Sequence, residues 1–542
     1  MPDLVLGVDS STQSTKIEVR DVASGALVGE ARASHPPTSP PVSEQDPATW
    51  WEALCAAVNS LEELRNDVVA VSIAGQQHGL VALDSSDSVL RPAKLWNDTT
   101  SAPEASRLVD RHGSAWWVER VGSVPVASFT VTKVAWMAEH EPDLHRRIDK
   151  VMLPHDYLTW RLTGRHLTDR GDASGTGWWS PDGGQVGTYV GEVLDLVGLP
   201  ISSLPEVVPA DHVVGTLTVE AAASLGLRPD VVVGPGTGDN MAAALGLRLR
   251  PGDVALSLGT SGTIYAVADR PCLDLTGFVS AFADAAGGFL PLVCTLSATK
   301  VTDAVASWLG IDAAELAELA LTADAASLLP ALVPYFDGER TPNLPAATGT
   351  FVGLRTSTTR AQLALAAHDG VICGLLGGYD ALREAGVAVG GRVHLIGGGA
   401  KSSAYRQRTA DLLGSPIVVS HSGETVATGA CVQAAVVYTA AGYSRPATDS
   451  RSDVFAAVTD RWSLSDGTEV VPSPGVDHPA RRAQYTAARD ALPDPRPPKF
   501  EAKTTPHVEN AAQNGGEGSV DTELGEDFGG IGPEAGGMPA DR

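Results

Sequence analysis

Residues Val231 to Gly246 read VVVGPGTGDNMAAALG: a run of valines, three alternating glycines, then a carboxylate and an amide before a series of small residues. Asp239 and Asn240 therefore stand at the mouth of a strand-to-helix turn. A carboxylate there can take a proton from a hydroxyl, and the glycines before it let a ligand approach the backbone. Three further turns gather backbone N–H groups and hydroxyls: DSSTQSTK (Asp9–Lys16), LGTSGT (Leu258–Thr263) and GGGAKS (Gly397–Ser402). Turns of this kind receive anions, phosphate among them, and Lys16 adds a fixed positive charge. None follows G-x-x-x-x-G-K-[ST] or a helix-opening G-x-G-x-x-G, and each alone is equally an ordinary hairpin or cap. Their placement says more than their composition. Two of the three follow apolar strands in similar meanders and could face one phosphate chain across a cleft.

Asp9 ends its strand beside the first of these turns. It either bonds its own turn or partners Mg2+, which takes one or two carboxylates alongside substrate phosphates. GQQHG (Gly75–Gly79) and WND (Trp96–Asp98) set polar groups among apolar ones, the mixture that reads sugar hydroxyls while an aromatic face covers the carbon skeleton. His78 by itself is a structural histidine as readily as a ligand. Together with Asp239 and Asn240 it points to a binding site.

The elements that must hold these groups are legible. LVLGVDS, STKIEVRD and LVGEARAS read as three strands with a turn at Ser24–Gly25, and DPATWWEALCAAVNSL reads as a helix with Asp46 as N-cap and Pro47 in its first turn. VVAVSIAG is a buried strand that delivers QQHG, and the valines before Asp239 read as another, buried on both faces. A second meander, Gly252–Asp269, repeats the plan of the first at a domain-sized distance, which indicates a duplicated α/β architecture. Later come a strand into a glycine turn at RVHLIGGGAKSS, a strand at SPIVVS and a small-residue helix at ATGACVQAAVVYTAAG. Residues 494–542, rich in Gly, Pro and acids, are expected to be a disordered tail.

At 542 residues the chain is too long for one ordinary core. Its net charge of -26, with no basic patch, argues against nucleic acid and against an anionic membrane surface. Five scattered cysteines without a C-x-x-C pair suggest neither disulfides nor zinc. The first apolar run is too short for a signal peptide and no later segment reads as a membrane span, so the expectation is a soluble, cytoplasmic protein.

The ordered motifs GVDSSTQSTK, SEQDPATWW, AGQQHG, LWND, LPHDYLTWRLTG, TDRGDASGT, GPGTGDN, LSLGTSGT, PYFDGERTP and IGGGAKSSAYRQRTADLLG closely resemble the FGGY carbohydrate kinases, in register from about Leu4 to about Gly442. The resemblance implies two actin-like (ribonuclease H-like) ATPase domains around an interdomain cleft, a sugar-binding domain over 1–246 and a nucleotide-binding domain over 247–493. It implies ATP and Mg2+ as cofactors, a small-molecule sugar substrate, D-xylulose ahead of ribulose or a polyol, and a homodimer. Carried over by motif, Asp239 is similar to the catalytic base. Gln77, His78 and Asn240 match sugar-contacting positions, Thr12 and Lys16 the first phosphate loop, Gly259 and Thr260 the second, and Gly398 and Gly399 the adenosine-side turn. Where glycerol kinases carry an Arg-Glu pair this chain has Gln77-His78, which favours a ketopentose. Ser11 replaces the usual glycine of the first loop, Gln77 an often-found methionine, and Thr100 an often-found arginine. Phosphoryl transfer asks the base to act late, so an aspartate of ordinary acidity, about 3.9, is expected to suffice. An actin-like ATPase without a sugar, or a sugar sensor without catalysis, are the alternatives; the first expects an appended binding domain, and an intact Asp239 speaks against the second.

Overall fold

The computed structural model describes residues 2–492 except 183, 324–328, 345, 422, 443–450 and 465–466; the expected tail from 494 lies outside the described residues. Two seven-stranded mixed sheets form its frame. The first holds β1 (Leu4–Ser10), β2 (Ser14–Asp21), β3 (Leu27–Ser34), β4 (Val68–Gly75), β5 (Gly215–Thr216), β6 (Val232–Val233) and β7 (Thr237–Gly238). Its order is β5-β6-β4-β1-β2-β3, with β7 also on β4. The second holds β8 (Val254–Leu258), β9 (Gly262–Ala266), β10 (Ser280–Ala283), β11 (Phe289–Thr295), β12 (Val393–Ile396), β13 (Ile417–Ser420) and β14 (Gly467–Val470), in the order β10-β11-β9-β8-β12-β13-β14. In each sheet an antiparallel hairpin, β1-β2 or β8-β9, lies beside a parallel strand, β4 or β12. The duplication expected from the two meanders is present, down to hairpin loops at 11–13 and 259–261.

Five helices matter for the site: α1 (Pro47–Asn59), α2 (Pro154–Thr163), α3 (Asp239–Gly246), α4 (Arg360–Glu384) and α5 (Thr425–Gly442). Asp46 caps α1 as expected, its carboxylate accepting from Ala48 N–H at 3.0 Å. Side chains alternate along β1, so Leu4, Leu6 and Val8 meet Trp50 and Leu54 of α1 and Leu158 of α2 in one core, while Val5 meets Cys431 of α5 in another. Gly7 and Asp9 share the face of Val5. That register alone aims the carboxylate of Asp9 toward the start of α5.

The valine run was expected to be one buried strand. The structure instead has two short pieces, Val232–Val233 and Thr237–Gly238. Pro235 offers no N–H to a ladder, and Gly236 turns the chain at φ 81° with its Cα pressed so close to the Ile73 carbonyl that a Cβ would lie 2.6 Å from it. The break aims Asp239, now the first residue of α3, out of the sheet. Gln433 of α5 pins it from behind, donating to the carbonyl of Gly236 at 3.1 Å.

A second expectation also needs correction. By length and composition α4 and α5 could each cross a bilayer. Both are core helices instead: Gly378 of α4 packs on Ile264 and Val293 of the second sheet, and α5 lies against β1 and β4 of the first. The cysteines are free and, Cys55 apart, buried.

Helices α3 and α5 touch backbone to backbone. A Cβ on Gly246 would sit 2.0 Å from the Thr425 carbonyl oxygen, and one on Gly429 would sit 1.8 Å from that of Ala242. Gly429→Ala is therefore expected to destabilise the protein by about 1–3 kcal/mol, the range for overpacking. Gly377→Ala on α4, where nothing lies within 4 Å of the new methyl, should be neutral or stabilising by up to about 1 kcal/mol. Urea midpoints of the two variants check the contrast.

Candidate functional site

Asp239 opens α3 half-buried, its carboxylate set back from solvent, with Asn240 beside it. Asn240 grips one carboxylate oxygen with two donors, its backbone N–H at 2.7 Å and its amide Nδ2 at 2.9 Å from Asp239 Oδ1. Oδ2 is left as the oxygen that Asn240 does not engage. The same Nδ2 donates to Gln77 Oε1 at 3.0 Å, and Asn240 Oδ1 accepts from Thr263 Oγ1 of the second sheet at 3.3 Å. Three residues named from the sequence thus form one cluster, tied to the opposite lobe by a threonine that the sequence reading did not single out.

His78 follows Gln77 in a tight turn, at φ 66°. Left-handed backbone is uncommon for histidine and here lets consecutive residues serve one site. Its Nδ1 faces the Gly175 carbonyl at 2.7 Å, so Nδ1 carries the proton and Nε2 is the acceptor. The ring rests between Phe129 and Phe282, with centroids at 5.1 and 5.6 Å. Burial, joined by the charges of Lys133 and Arg340, holds the imidazole neutral by pushing its pKa well down. A Cβ on Gly175 would lie 2.7 Å from the ring, which explains the glycine in TDRGDASGT.

Asp9 is buried beneath the first loop. Its Oδ2 lies 3.6 Å from Lys16 Nζ, while Oδ1 is buried with no partner. Lys16 itself is held at 2.7 Å by Glu424, the residue before α5, which sequence reasoning missed. Burial raises the Asp9 pKa to about 6, with Glu424 adding to the effect and Lys16 opposing it. Burial and then the charge of Asp9 raise Asp239 to about 7, against the two bonds from Asn240. The expectation of ordinary acidity for Asp239 is thereby corrected: a second carboxylate shares its poorly hydrated cleft. An orphaned anionic oxygen beside a second acid fits a cation, and Asp9 is the residue that would hold Mg2+.

The loops are less uniform than their sequences. Thr12 is tied down, its hydroxyl donating to Gln76 Oε1 and accepting from Trp96 Nε1, both at 3.0 Å, so its backbone rather than its side chain is what it can offer a phosphate. Gly259 is half-buried and Thr260 exposed at the tip of β8-β9. Gly398 faces open space, whereas Gly399 is buried against Leu258, so close that a Cβ on it would lie 2.8 Å from Leu258 Cβ. Gly399 therefore joins the second and third turns rather than lining them. Trp96 is near the site through Thr12, but Asp98 is not: it is fully buried, accepting from Ser43 N–H at 2.9 Å and Lys94 Nζ at 3.1 Å. The WND motif is in that respect structural.

Two like lobes, a carboxylate heading the helix between them and phosphate-type turns from both define an α/β phosphotransferase of the sugar kinase type. The chain belongs to the FGGY family of carbohydrate kinases: the family's N-terminal domain matches residues 4–246 and its C-terminal domain residues 254–438. It is thus a kinase of the class that draws its phosphoryl group from ATP. It is 48% identical over 465 residues to the xylulose kinase of Streptomyces rubiginosus, covering 86% of this chain and 92% of that protein. The xylulose kinase of Streptomyces coelicolor is 47% identical over the same shares. The crystal structure of xylulose kinase from Bifidobacterium adolescentis, 36% identical, superposes with a TM-score of 0.75 over 90% of this chain and 99% of that one.

Asp9 and Asp239 both bind protons more tightly folded than unfolded, where they titrate near the ordinary value of about 3.9. The stability they contribute is full below about pH 4 and is lost as pH rises through 6 and 7. Asp9→Asn removes the charge that faces Asp239. The ligand-free variant is expected to melt higher than the native protein at pH 8, with the difference shrinking toward pH 4. Equal melting temperatures at pH 8 would show that Asp239 does not feel Asp9.

Proposed function

We propose that the protein is a xylulokinase, transferring the γ-phosphoryl group of ATP to the terminal hydroxyl of D-xylulose. The observation that carries this is the joining of Asp239, Asn240 and Gln77 in one hydrogen-bonded cluster beside Asp9, at the meeting of turns from both lobes. The printed names of the Streptomyces and Bifidobacterium relatives supply the sugar. Gln77, through the second lone pair of Oε1, and neutral His78, through Nε2, fit it, since uncharged acceptors read neutral hydroxyls where a charged pair would suit a different pattern.

Asp239 Oδ2, the oxygen not engaged by Asn240, receives the hydroxyl proton as the new O–P bond forms and the bond from the γ-phosphorus to the bridging oxygen of ADP breaks. Asn240 fixes the direction of that carboxylate. His78 Nε2 accepts from a sugar hydroxyl, and its aromatic walls, Phe129 and Phe282, exclude water from that side. Lys16, held charged by Asp9 and Glu424 despite its burial, and the backbone N–H groups of the two hairpin loops receive the phosphates. Asp9 is the residue that would hold Mg2+, and the ion would supply positive charge against the phosphates. The form of Asp239 that accepts the proton is the ionised carboxylate.

A coupled ADP-release assay over D-xylulose, D-ribulose, L-ribulose and glycerol tests the sugar. D-xylulose should give the highest kcat/KM; a higher value for another sugar would reassign the substrate, and steady ATP hydrolysis indifferent to all four would favour the actin-like ATPase. Asp239→Asn should leave sugar affinity within about threefold while kcat falls by about 10²–10⁴-fold, the usual worth of a general base. Near-native turnover would take Asp239 out of the role.

A further inference from the structure

Beneath the sugar site lies a set of ionisable groups that the reaction does not use. His155 Nε2, fully buried, is 3.2 Å from Asp156 Oδ1, 3.5 Å from Asp169 Oδ1 and 3.5 Å from Asp172 Oδ2. Asp169 has clear structural work: it accepts from the N–H groups of Gly171 and Asp172 at 2.8 and 2.9 Å and from Thr237 Oγ1 at 2.8 Å, so it joins the TDRGDASGT turn to the strand that leads into Asp239. Asp172 has none. Both of its carboxyl oxygens are buried without a hydrogen bond of ordinary length, and so is Gln77 Nε2 beside it.

The direction of the surrounding bonds says what these orphans are for. Asp239 Oδ1 can only accept, so the group that Asn240 presents to it must be its NH2 end, and Asn240 Oδ1 takes the Thr263 hydroxyl. The same NH2 requires Gln77 to present Oε1. Gln77 Nε2 then points the other way, into the protein, where it needs an acceptor. The carboxyl of Asp172 is the group there, and the Gln77 amide works against its upward displacement by burial and by the charges of Asp156, Asp169 and Asp239. Every donor in the series therefore points from the second lobe toward Asp172.

We propose that Asp172 is a positioning residue: the terminal acceptor of a directional chain from Thr263 through Asn240 and Gln77 that fixes which way both amides face and so keeps Asn240 Nδ2 on Asp239. The proposal rests on Asp239 being the base and Gln77 facing the sugar. Without Asp172, Gln77 gains nothing from its present orientation, and a flipped amide sets NH2 against NH2 at Asn240. Crowding by neighbouring acids does not spoil the acceptor, because a carboxyl that holds a shared proton still offers its other oxygen.

A double-mutant cycle between Asp172→Leu and Gln77→Met tests the chain, since methionine keeps the length of Gln77 without its bonds. In the native background Asp172→Leu should lower kcat/KM for D-xylulose about tenfold, the worth of one buried hydrogen bond, with KM for ATP unmoved. In the Gln77→Met background it should cost less than about twofold, because coupled residues are not additive. Asp172→Asn, which keeps an acceptor oxygen, should stay within about threefold of native. Equal losses in both backgrounds would make Asp172 a purely structural residue and overturn the proposal. A second measurement needs no sugar and covers a Leu variant that fails to fold. With selective 15N-glutamine labelling, the Gln77 side-chain amide, assigned by its loss in Gln77→Met, should exchange slowly with solvent in the native protein and in Asp172→Asn. Exchange as fast as that of exposed glutamines in the native protein would also overturn it. Should the native enzyme ignore D-xylulose, the sugar assignment fails by itself and the exchange measurement still decides the Gln77–Asp172 bond.

Discussion

Two acids facing one cleft organise this molecule. Asp9 and Asp239 arrive from different places, one at the end of the first strand and the other at the head of a helix some 230 residues later. Each is poorly hydrated, and the charge of the first raises the pKa of the second. Left alone, such an arrangement lowers the stability of the fold at neutral pH. Its persistence is understandable if the cleft is built to receive positive charge, and Lys16 is the cation the chain sends to Asp9, at a distance of 3.6 Å and shared with Glu424. A proton acceptor and a cation ligand need this electrostatic tension; a purely structural core would replace it with hydrophobic packing.

Holding the two acids in register depends on helices that approach closer than side chains ordinarily allow. Gly7 lies under Ala427, Gly246 under Thr425, and Gly429 under Ala242. Through these contacts β1, α3 and α5 share one packing unit, so Asp9, Asp239 and Glu424 move together if they move at all. The second lobe meets the first through an apolar core that both share and through polar and aromatic contacts around the proposed sugar site. Thr263 bonds Asn240, Ala283 N–H donates to Ser174 Oγ at 2.9 Å, Arg170 donates to the Gly288 carbonyl at 2.7 Å, and Phe282 faces His78. Three of these four contacts come from β10 and the turn that follows it. Their partners lie on the motif and the turn that surround the proposed sugar site, so relative displacement of the lobes and the shape of that site are mechanically linked.

Much of this could be read from the sequence because it rests on local chemistry. The apolar runs in LVLGVDS and VVAVSIAG, the cap at Asp46 and the paired hairpins each carry their own signal, and the site residues Asp239, Asn240 and Gln77 sit in motifs with glycine before them or beside them. What failed was context. A row of valines looks like a strand until Pro235 removes an N–H from the ladder and Gly236 takes a positive φ. Asp98 has the look of a sugar ligand, but Lys94, four residues earlier and wholly buried, claims it. Glu424 had no local mark at all, and Thr263 and the His155 cluster, though they lie inside LGTSGT, LPHDYLTWRLTG and TDRGDASGT, carried no sign of their roles, because their meaning comes from partners far away in the chain.

The acidity of the base is the instructive case. Sequence gives a residue type and its ordinary pKa; burial and neighbours decide the value that operates. Here the neighbour is Asp9, and the same burial that strengthens repulsion between two anions would strengthen the attraction of Asp9 to a cation. Asp239 raised to about 7 is about half ionised at neutral pH, and the ionised half is the form that can take a proton. On the proposed reaction the raised pKa also makes Asp239 a stronger proton acceptor than an ordinary aspartate, close to the pH at which a general base works best. Asn240, clamped between Gln77 and Thr263, holds the direction of that carboxylate in either protonation state, so the base is aimed before it is charged.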